Sequence, residues 1–321
     1  MRAIVVVPTC REAQIRRFLD AWAAEFSTRD DRTVEVYVVE DNPEPAFDLS
    51  GCTHYSHQDI ERDLGEFAWI VPRHTDCVRS YGIWKAWQAT PDLIVTMDDD
   101  VRPSGTGFLD AHAARLEAVA RCGAWLPTIG GIKPRGLPYA RRYRERKIVL
   151  SHGLWEGDVD LDAVTELGQG KRYAADLLDQ AIPPGLYFPM CGMNLAWRPE
   201  LTPALYFGLQ GAAYPFDRFG DIWAGLFVKK ICDHLGLGVW SGSPHVRHER
   251  VSNVWANLRK ELPGLEINEW LWMHVDAARL GGATVGACYE ELADRVGELY
   301  PHGAYWGKLA EAMRLWTWMF Q

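Results

Sequence analysis

The chain has 321 residues, 48% of them hydrophobic and 24% charged, the make-up of a globular protein long enough to bury a sizeable core. A formal net charge of -9 argues against nucleic-acid binding unless the basic residues gather on one face. The longest apolar run near the N-terminus, residues 3–7, is far short of the ~20 that span a bilayer and too short for a signal-peptide core. No membrane segment and a cytoplasmic location are therefore expected. Seven cysteines make an odd count without a C-x-x-C pair, which predicts reduced, mostly buried thiols. The fifteen tryptophans are an unusual excess, to be placed where a large ring with a polar edge packs or stacks.

Residues 3–7 read as a first strand, and Ile15, Phe18, Leu19, Trp22 and Phe26 then recur at the spacing of an amphipathic helix. Strands are predicted at 34–39, 67–71 and 93–97, with a helix at 76–88 before the last of them. Alternation of this kind builds βαβ units and a mostly parallel α/β sheet. Residues 123–189, richer in Gly, Pro and charge, read as loops and short strands. From Asp221 a second helix presents Ala224, Phe227, Val228, Ile231 and Leu235 on one face, with Gly236 and Gly238 as its stop. The last fifty residues read as helices broken near 281–282 and 301–303. The simplest division is a catalytic unit over 1–265 with a helical extension over 266–321.

In open α/β sheets ligands bind beyond the carboxyl ends of the strands, so Pro8-Thr9, Asp41 and the triplet Asp98-Asp99-Asp100 should converge on one crevice. Three adjacent carboxylates repel one another, and a hard divalent cation such as Mg²⁺ or Mn²⁺ makes the cluster favourable; otherwise it is a solvated acidic turn. Asp41 could accept from a base or ribose, or be an exposed turn residue. Arg11 and Arg79 are candidate phosphate or base contacts, or surface charges. Residues 133–147 carry seven bases (Lys133, Arg135, Arg141, Arg142, Arg144, Arg146, Lys147) against one acid, Glu145, and could fold over a diphosphate or form a solvated segment. His152 and His248 are candidates for acid/base or metal roles, or for structural hydrogen bonding. Cys191 could be a nucleophile, but no base or helix N-terminus is evident near it.

Ser151-His152-Gly153-Leu154-Trp155, the run FPMCGMNL from Phe188, Tyr206-Phe207-Gly208-Leu209, Asp221-Ile222-Trp223-Ala224-Gly225 and the run ICDHLGLGV from Ile231 closely resemble the reversibly glycosylated polypeptides, the UDP-arabinopyranose mutases. Pro8-Thr9-x-Arg11, Phe18-Leu19, Trp22, Thr96 to Asp100 and Arg79-x-x-Gly82 are similar in the same order. The resemblance spans nearly the whole chain and fades over the last fifty residues. It implies a GT-A type fold, a UDP-sugar substrate, and reversible self-glycosylation of an arginine coupled to pyranose/furanose interconversion.

The family's modified arginine matches Arg135 in Arg135-Gly136-Leu137-Pro138-Tyr139, and a second matches Arg142. The stretch 135–151 is one residue longer than the family pattern, so Arg141 or Arg144 could take the place of Arg142. The resemblance further implies nucleotide-sugar contacts at Pro8, Thr9, Arg11, Asp41, Arg79, Asp98, Asp99 and Asn194. It places Mn²⁺ or Mg²⁺ on Asp98 and Asp100, with His248 as a further ligand. Where the family has two adjacent acids this chain has Gly220-Asp221, which leaves Asp221 as the candidate acid/base, with His152 beside it in the catalytic set. The competing expectations are a glycosyltransferase that passes the sugar to a separate acceptor and a non-catalytic partner subunit. Six tryptophans beyond residue 254 suggest helix packing or an interface between copies of the chain.

Overall fold

The computed structural model describes residues 1–29, 31–126, 128, 133–169, 177–249 and 253–321. Its first half is built from β1 (Arg2–Thr9), α1 (Glu12–Phe26), β2 (Thr33–Glu40), β3 (Thr53–Tyr55), α2 (His57–Leu64), α3 (Arg79–Gln88), β4 (Leu93–Met97), β5 (Val101–Pro103), α4 (Phe108–Glu117) and β6 (Val119–Gly123). Then follow β7 (Tyr143–Gly157), α5 (Ala163–Gln169), β8 (Gln180–Ala181), β9 (Asn194–Trp197), α6 (Gly220–Leu235), β10 (Gly238–His248), α7 (Val254–Ala277), α8 (Val285–Gly297) and α9 (Gly303–Trp318).

One sheet runs β3-β2-β1-β4-β9-β7-β10-β5. Its first four strands are parallel, and β9 enters antiparallel between β4 and β7. Because β4 and β7 both oppose β9, they point the same way, as does β10 alongside β7. The carboxyl ends of β1, β2, β4, β7 and β10 therefore share one end of the sheet. This is an α/β architecture, with helices on both faces and a helical C-terminus. The β-branched interior of β1, Ile4 to Val7, is fully buried on both faces, as a covered parallel strand must be. Helix α3 lies close on that sheet because position 82 is glycine: a Cβ there would meet Val39 and Val6 side-chain carbons at 2.6 Å.

The element at 67–71 is not a strand. Residues Gly65–Ile70 form a 3₁₀ helix that buries Ala68 and Ile70, while β3 comes from the polar stretch before it. In the region expected to be loops and short strands stands β7, fifteen residues long. Its first five residues, a tyrosine and four charged side chains, form a two-stranded ribbon with β6, and only then does it enter the sheet.

The division expected after residue 265 falls inside α7, whose Ile267 and Leu271 belong to the same core as Ile4 and Val6 of β1. Phe216, Trp223 of α6, and Tyr305 and Trp306 of α9 pack as one aromatic cluster, with ring centroids of Phe216 and Tyr305 at 4.8 Å. The tryptophans of the extension divide. Trp306 and Trp316 are fully buried, whereas Trp255, Trp272 and Trp318 are exposed. Among the described residues no helix is long and apolar enough to cross a membrane.

Candidate functional site

At the carboxyl end of the parallel strands the predicted residues meet. Asp41 follows β2, and its amide donates to the carbonyl of Thr9 at the end of β1. The Thr9 hydroxyl donates to Asp99 Oδ2 at 2.6 Å and accepts from the Arg11 amide at 3.1 Å. Arg11 closes the link with its guanidinium on both oxygens of Asp99 and, at 3.4 Å, on Asp100 Oδ2. Asp99 is thus a buried clamp between the two loops rather than a free ligand. Pro8 lies within β1, buried and paired in register with Val39.

Arg79, the first residue of α3, is buried under the crevice. Its guanidinium donates to Asp98 Oδ1 at 2.5 Å, Thr96 Oγ1 at 3.1 Å and the Gly192 carbonyl at 2.8 Å, and Asp76 lies 3.6 Å away. A cation so placed is tolerated only because four acceptors surround it. Asp221, in the first turn of α6, accepts from the Gly192 amide at 2.9 Å, so a single residue, Gly192, joins Arg79 to Asp221. Burial, followed by the nearby Asp76 carboxylate, pushes the Asp221 carboxyl up to about 7, the value suited to moving protons near neutrality. Asp41 accepts from His57 Nε2 at 2.7 Å and from the His74 amide at 2.9 Å, a polar corner at the edge of the crevice.

Asp100 is the odd member of the triplet. Its Oδ1 is buried without a hydrogen-bond partner, and burial, with Asp98 next, raises its carboxyl to about 6. His248, on β10 opposite Val101, lies near enough to oppose that rise, and its Nδ1 pairs with the Asp158 carbonyl at 3.0 Å. Anchoring one ring nitrogen this way orients the other for a ligand. Among the described residues no three His, Cys, Asp or Glu side chains already stand in metal-binding arrangement. Asp98 is drawn to Arg79 and Asp99 to Arg11, which leaves Asp100 as the anchor and makes the orphaned oxygen the feature that fits a hard cation.

Two predicted residues lie behind the crevice. His152 is buried, with Nδ1 on Ser241 Oγ at 2.9 Å and Nε2 accepting the Cys191 amide at 3.2 Å. Burial pushes it down to about 3, so it is neutral and positions the 188–194 loop. Asn194 is fully buried, with its oxygen on His112 Nε2 at 2.9 Å and its amide shared between the carbonyls of Leu154 and Pro244. Cys191 is a buried thiol whose pKa is raised well above its usual value, the structural alternative rather than the nucleophile.

The arginine segment is elsewhere. Arg135 is exposed in a turn closed by the Leu137 amide on the Pro134 carbonyl at 3.2 Å, and Arg142 continues the β6–β7 ribbon through its carbonyl on the Ala124 amide at 3.0 Å. Arg141 and Arg144 are exposed, while Arg146 is buried and caps the last carbonyls of α6, with Nη1 3.4 Å from those of Cys232 and Asp233 and 3.0 Å from that of Leu237 just beyond the helix.

Sequence reasoning missed several members of the site. Glu40 is fully buried and accepts from the amides of Ala46 and Phe47 and from Asn42, fixing the loop after β2. Asp76 had a readable signal, an acid three residues before Arg79 at a helix start. His57 and Asp160, which accepts from the Cys191 thiol at 3.4 Å, had none, since contacts across separate loops leave no local pattern.

A protein-family profile described as reversibly glycosylated polypeptide matches residues 127–321. UDP-arabinopyranose mutase 1 of Arabidopsis thaliana is 38% identical over 280 residues, 82% of this chain and 77% of that protein. The probable UDP-arabinopyranose mutase 2 of Solanum tuberosum is 34% identical over 337 residues, 97% of this chain and 88% of its own. Among solved structures, glucosyl-3-phosphoglycerate synthase of Mycobacterium tuberculosis, with Mn²⁺ and uridine diphosphate, is 17% identical, covers 94% of this chain and 82% of its own, and overlays at a TM-score of 0.44. At that overlap the likeness carries no weight for function. Identity above one third along almost the full length is of another order, and by it the chain belongs to the reversibly glycosylated polypeptide family, together with the UDP-arabinopyranose mutases.

Proposed function

We propose that the protein is a UDP-sugar mutase that interconverts pyranose and furanose forms by reversible self-glycosylation of Arg135. The single observation that carries the site is the crevice in which Thr9, Arg11, Arg79 and the Asp triplet are locked together beside an ionisable Asp221, in a chain whose relatives are named as such mutases. The mutase must break the bond from the anomeric carbon to UDP, exchange the ring oxygen, and remake the same bond without loss of the sugar to water. Covalent holding splits that into easier steps.

In this reading Arg11 and Arg79 face the departing diphosphate, and Asp41 with His57 accepts from the nucleoside. A divalent cation, Mn²⁺ or Mg²⁺, would be held by Asp98 and Asp100 with His248, and when bound it supplies charge stabilisation to the leaving group. A guanidinium is always protonated and a poor nucleophile, so Asp221 takes its proton as the carbon–nitrogen bond forms. Arg142 supports the arginine segment.

The test is incubation with UDP-arabinopyranose and Mn²⁺, following nucleotide-sugar isomers by chromatography and the protein by intact mass. The expected result is a furanose isomer and a sugar adduct, both lost in Arg135→Ala with UDP binding retained. An Arg135→Ala enzyme that isomerises at the normal rate overturns the covalent role. Transfer only to an added acceptor would make the protein a glycosyltransferase instead.

A further inference from the structure

The arginine and the crevice lie at opposite ends of the sheet. Strand β7 sets the scale: His152 is level with Thr96 through their shared partner Leu195, so Leu154 is level with Asp98. From there the strand and its ribbon run down to Arg142, twelve residues or roughly 40 Å at the usual rise per residue. Seven residues separate Arg142 from Arg135, and even fully extended they would return only about 24 Å. They are not extended, since a turn closes Pro134 to Leu137 and Lys133 Nζ stands 3.8 Å over the ring of Tyr139. Helix α6 gives the same answer independently. Its first turn holds Asp221 at the crevice, and its last carbonyls, those of Cys232 and Asp233, hold Arg146, at the root of the ribbon.

The two ends are complementary. The arm carries seven bases to one acid over residues 133–147 and presents Trp125 (54% exposed), Leu126 (84%) and Tyr139 (83%) to solvent. Exposed aromatic and basic side chains on one projection are the make-up of an interface anchor. The crevice gathers five carboxylates, Asp76, Asp98, Asp99, Asp100 and Asp221, around two guanidinium groups, those of Arg11 and Arg79.

We propose that the protein works as an assembly of copies in which the β6–β7 arm of one protomer enters the crevice of its partner, so that Arg135 receives the sugar in trans. Reciprocal exchange of two arms satisfies a two-fold axis and closes the assembly. The proposal rests on the reading of Arg135 as the sugar carrier. In the step, the bond between the anomeric carbon and the UDP oxygen breaks, UDP leaves with the electron pair, and a guanidinium nitrogen bonds to the carbon. The proton it loses goes to Asp221 of the protomer whose crevice holds the nucleotide.

The experiment co-expresses two differently tagged chains, one Arg135→Ala and one with a dead crevice, Asp98→Asn/Asp100→Asn or, as a milder second version, Asp221→Asn. Purified mixed assemblies are given a UDP-sugar with Mn²⁺ and read by intact mass, with circular dichroism as the check on folding. Neither variant alone should carry an adduct; in the mixed assembly the adduct should appear on the dead-crevice chain, at its intact Arg135. Adduct on wild type but never on either dead-crevice chain overturns exchange between protomers. Absence of adduct on wild type overturns the arginine reading itself, and exchange with it. In dilute wild type, the adduct should form more slowly per chain as assemblies dissociate; a rate per chain independent of concentration, with light scattering showing monomer, also overturns exchange.

Discussion

Asp221→Asn separates proton chemistry from architecture, because the amide keeps an oxygen for the Gly192 N–H while removing the charge. The wild-type carboxyl stands at about 7 against an ordinary 3.8, through burial first, then Asp76, with the Gly192 amide, Arg79 and Asp160 also facing it. An acid raised in the folded state is neutral there while the unfolded chain is already ionised. Its contribution to stability is therefore whole below 3.8 and is lost as pH rises through about 7. Unscreened, a displacement of that size corresponds to on the order of 4 kcal/mol. Asp221 is open in part to the crevice, and water there reduces the figure to about 1–3 kcal/mol. Less than half of that change falls between pH 5.5 and pH 8.5, so over this interval the variant should gain about 0.5–1.5 kcal/mol on wild type, measured by urea denaturation at each pH. The same variant should lose sugar transfer to arginine while UDP binding persists. A stability difference that does not change with pH over that interval would refute the assignment of a raised carboxyl at this position.

Arg79→Ala leaves Asp98 and Asp76 without their buried cation and should cost about 3–5 kcal/mol in a denaturation experiment, with UDP binding lost as well. Gly82→Ala puts a methyl carbon 2.6 Å from side-chain carbons of Val6 and Val39, and should destabilise by about 1–3 kcal/mol without altering which nucleotide binds. Trp316→Ala, which removes a buried ring stacked on Tyr206 at 5.3 Å, should cost about 3–5 kcal/mol, while Trp318→Ala at the exposed end of α9 should cost about 1 kcal/mol or less. Mn²⁺ should raise the melting temperature of wild type, more so with UDP present. Asp98→Asn/Asp100→Asn should remove that response, and an undiminished response would place the cation elsewhere.

The crevice was legible because its parts sit at strand ends that periodicity locates: β1, β2 and β4 read directly from β-branched runs, and Thr9, Asp41 and Asp98 follow at once. The first helix and α6 were legible for the same reason, each with one apolar face, and α6 with a glycine stop as well, Gly236 at φ +73. What failed to show had no local pattern. Residues 67–71 are as apolar as a strand but wind into a 3₁₀ turn, since a short apolar run does not distinguish the two. The lower part of β7 looked like a charged loop because a two-stranded ribbon outside the sheet buries little on either face. His152 and Asn194 stood in the most recognisable motifs, and both motifs prove to be buried hydrogen-bonding frames for the loop that Arg79 and Asp221 grip.

Charge connects these findings. Asp76, Asp98, Asp99, Asp100 and Asp221 are gathered at one end of the sheet, with Arg11 and Arg79 paired to the carboxylates of the Asp triplet. A nucleoside diphosphate entering that crevice adds negative charge to a cluster whose members already resist ionisation, as the raised carboxyls of Asp99, Asp100 and Asp221 show. Binding is favourable only if further positive charge arrives with it. A divalent cation at the unpartnered oxygen of Asp100 is one source. The other large reserve of positive charge is the arm at residues 133–147, which β7 holds at the far end of the same molecule and which a second copy can deliver.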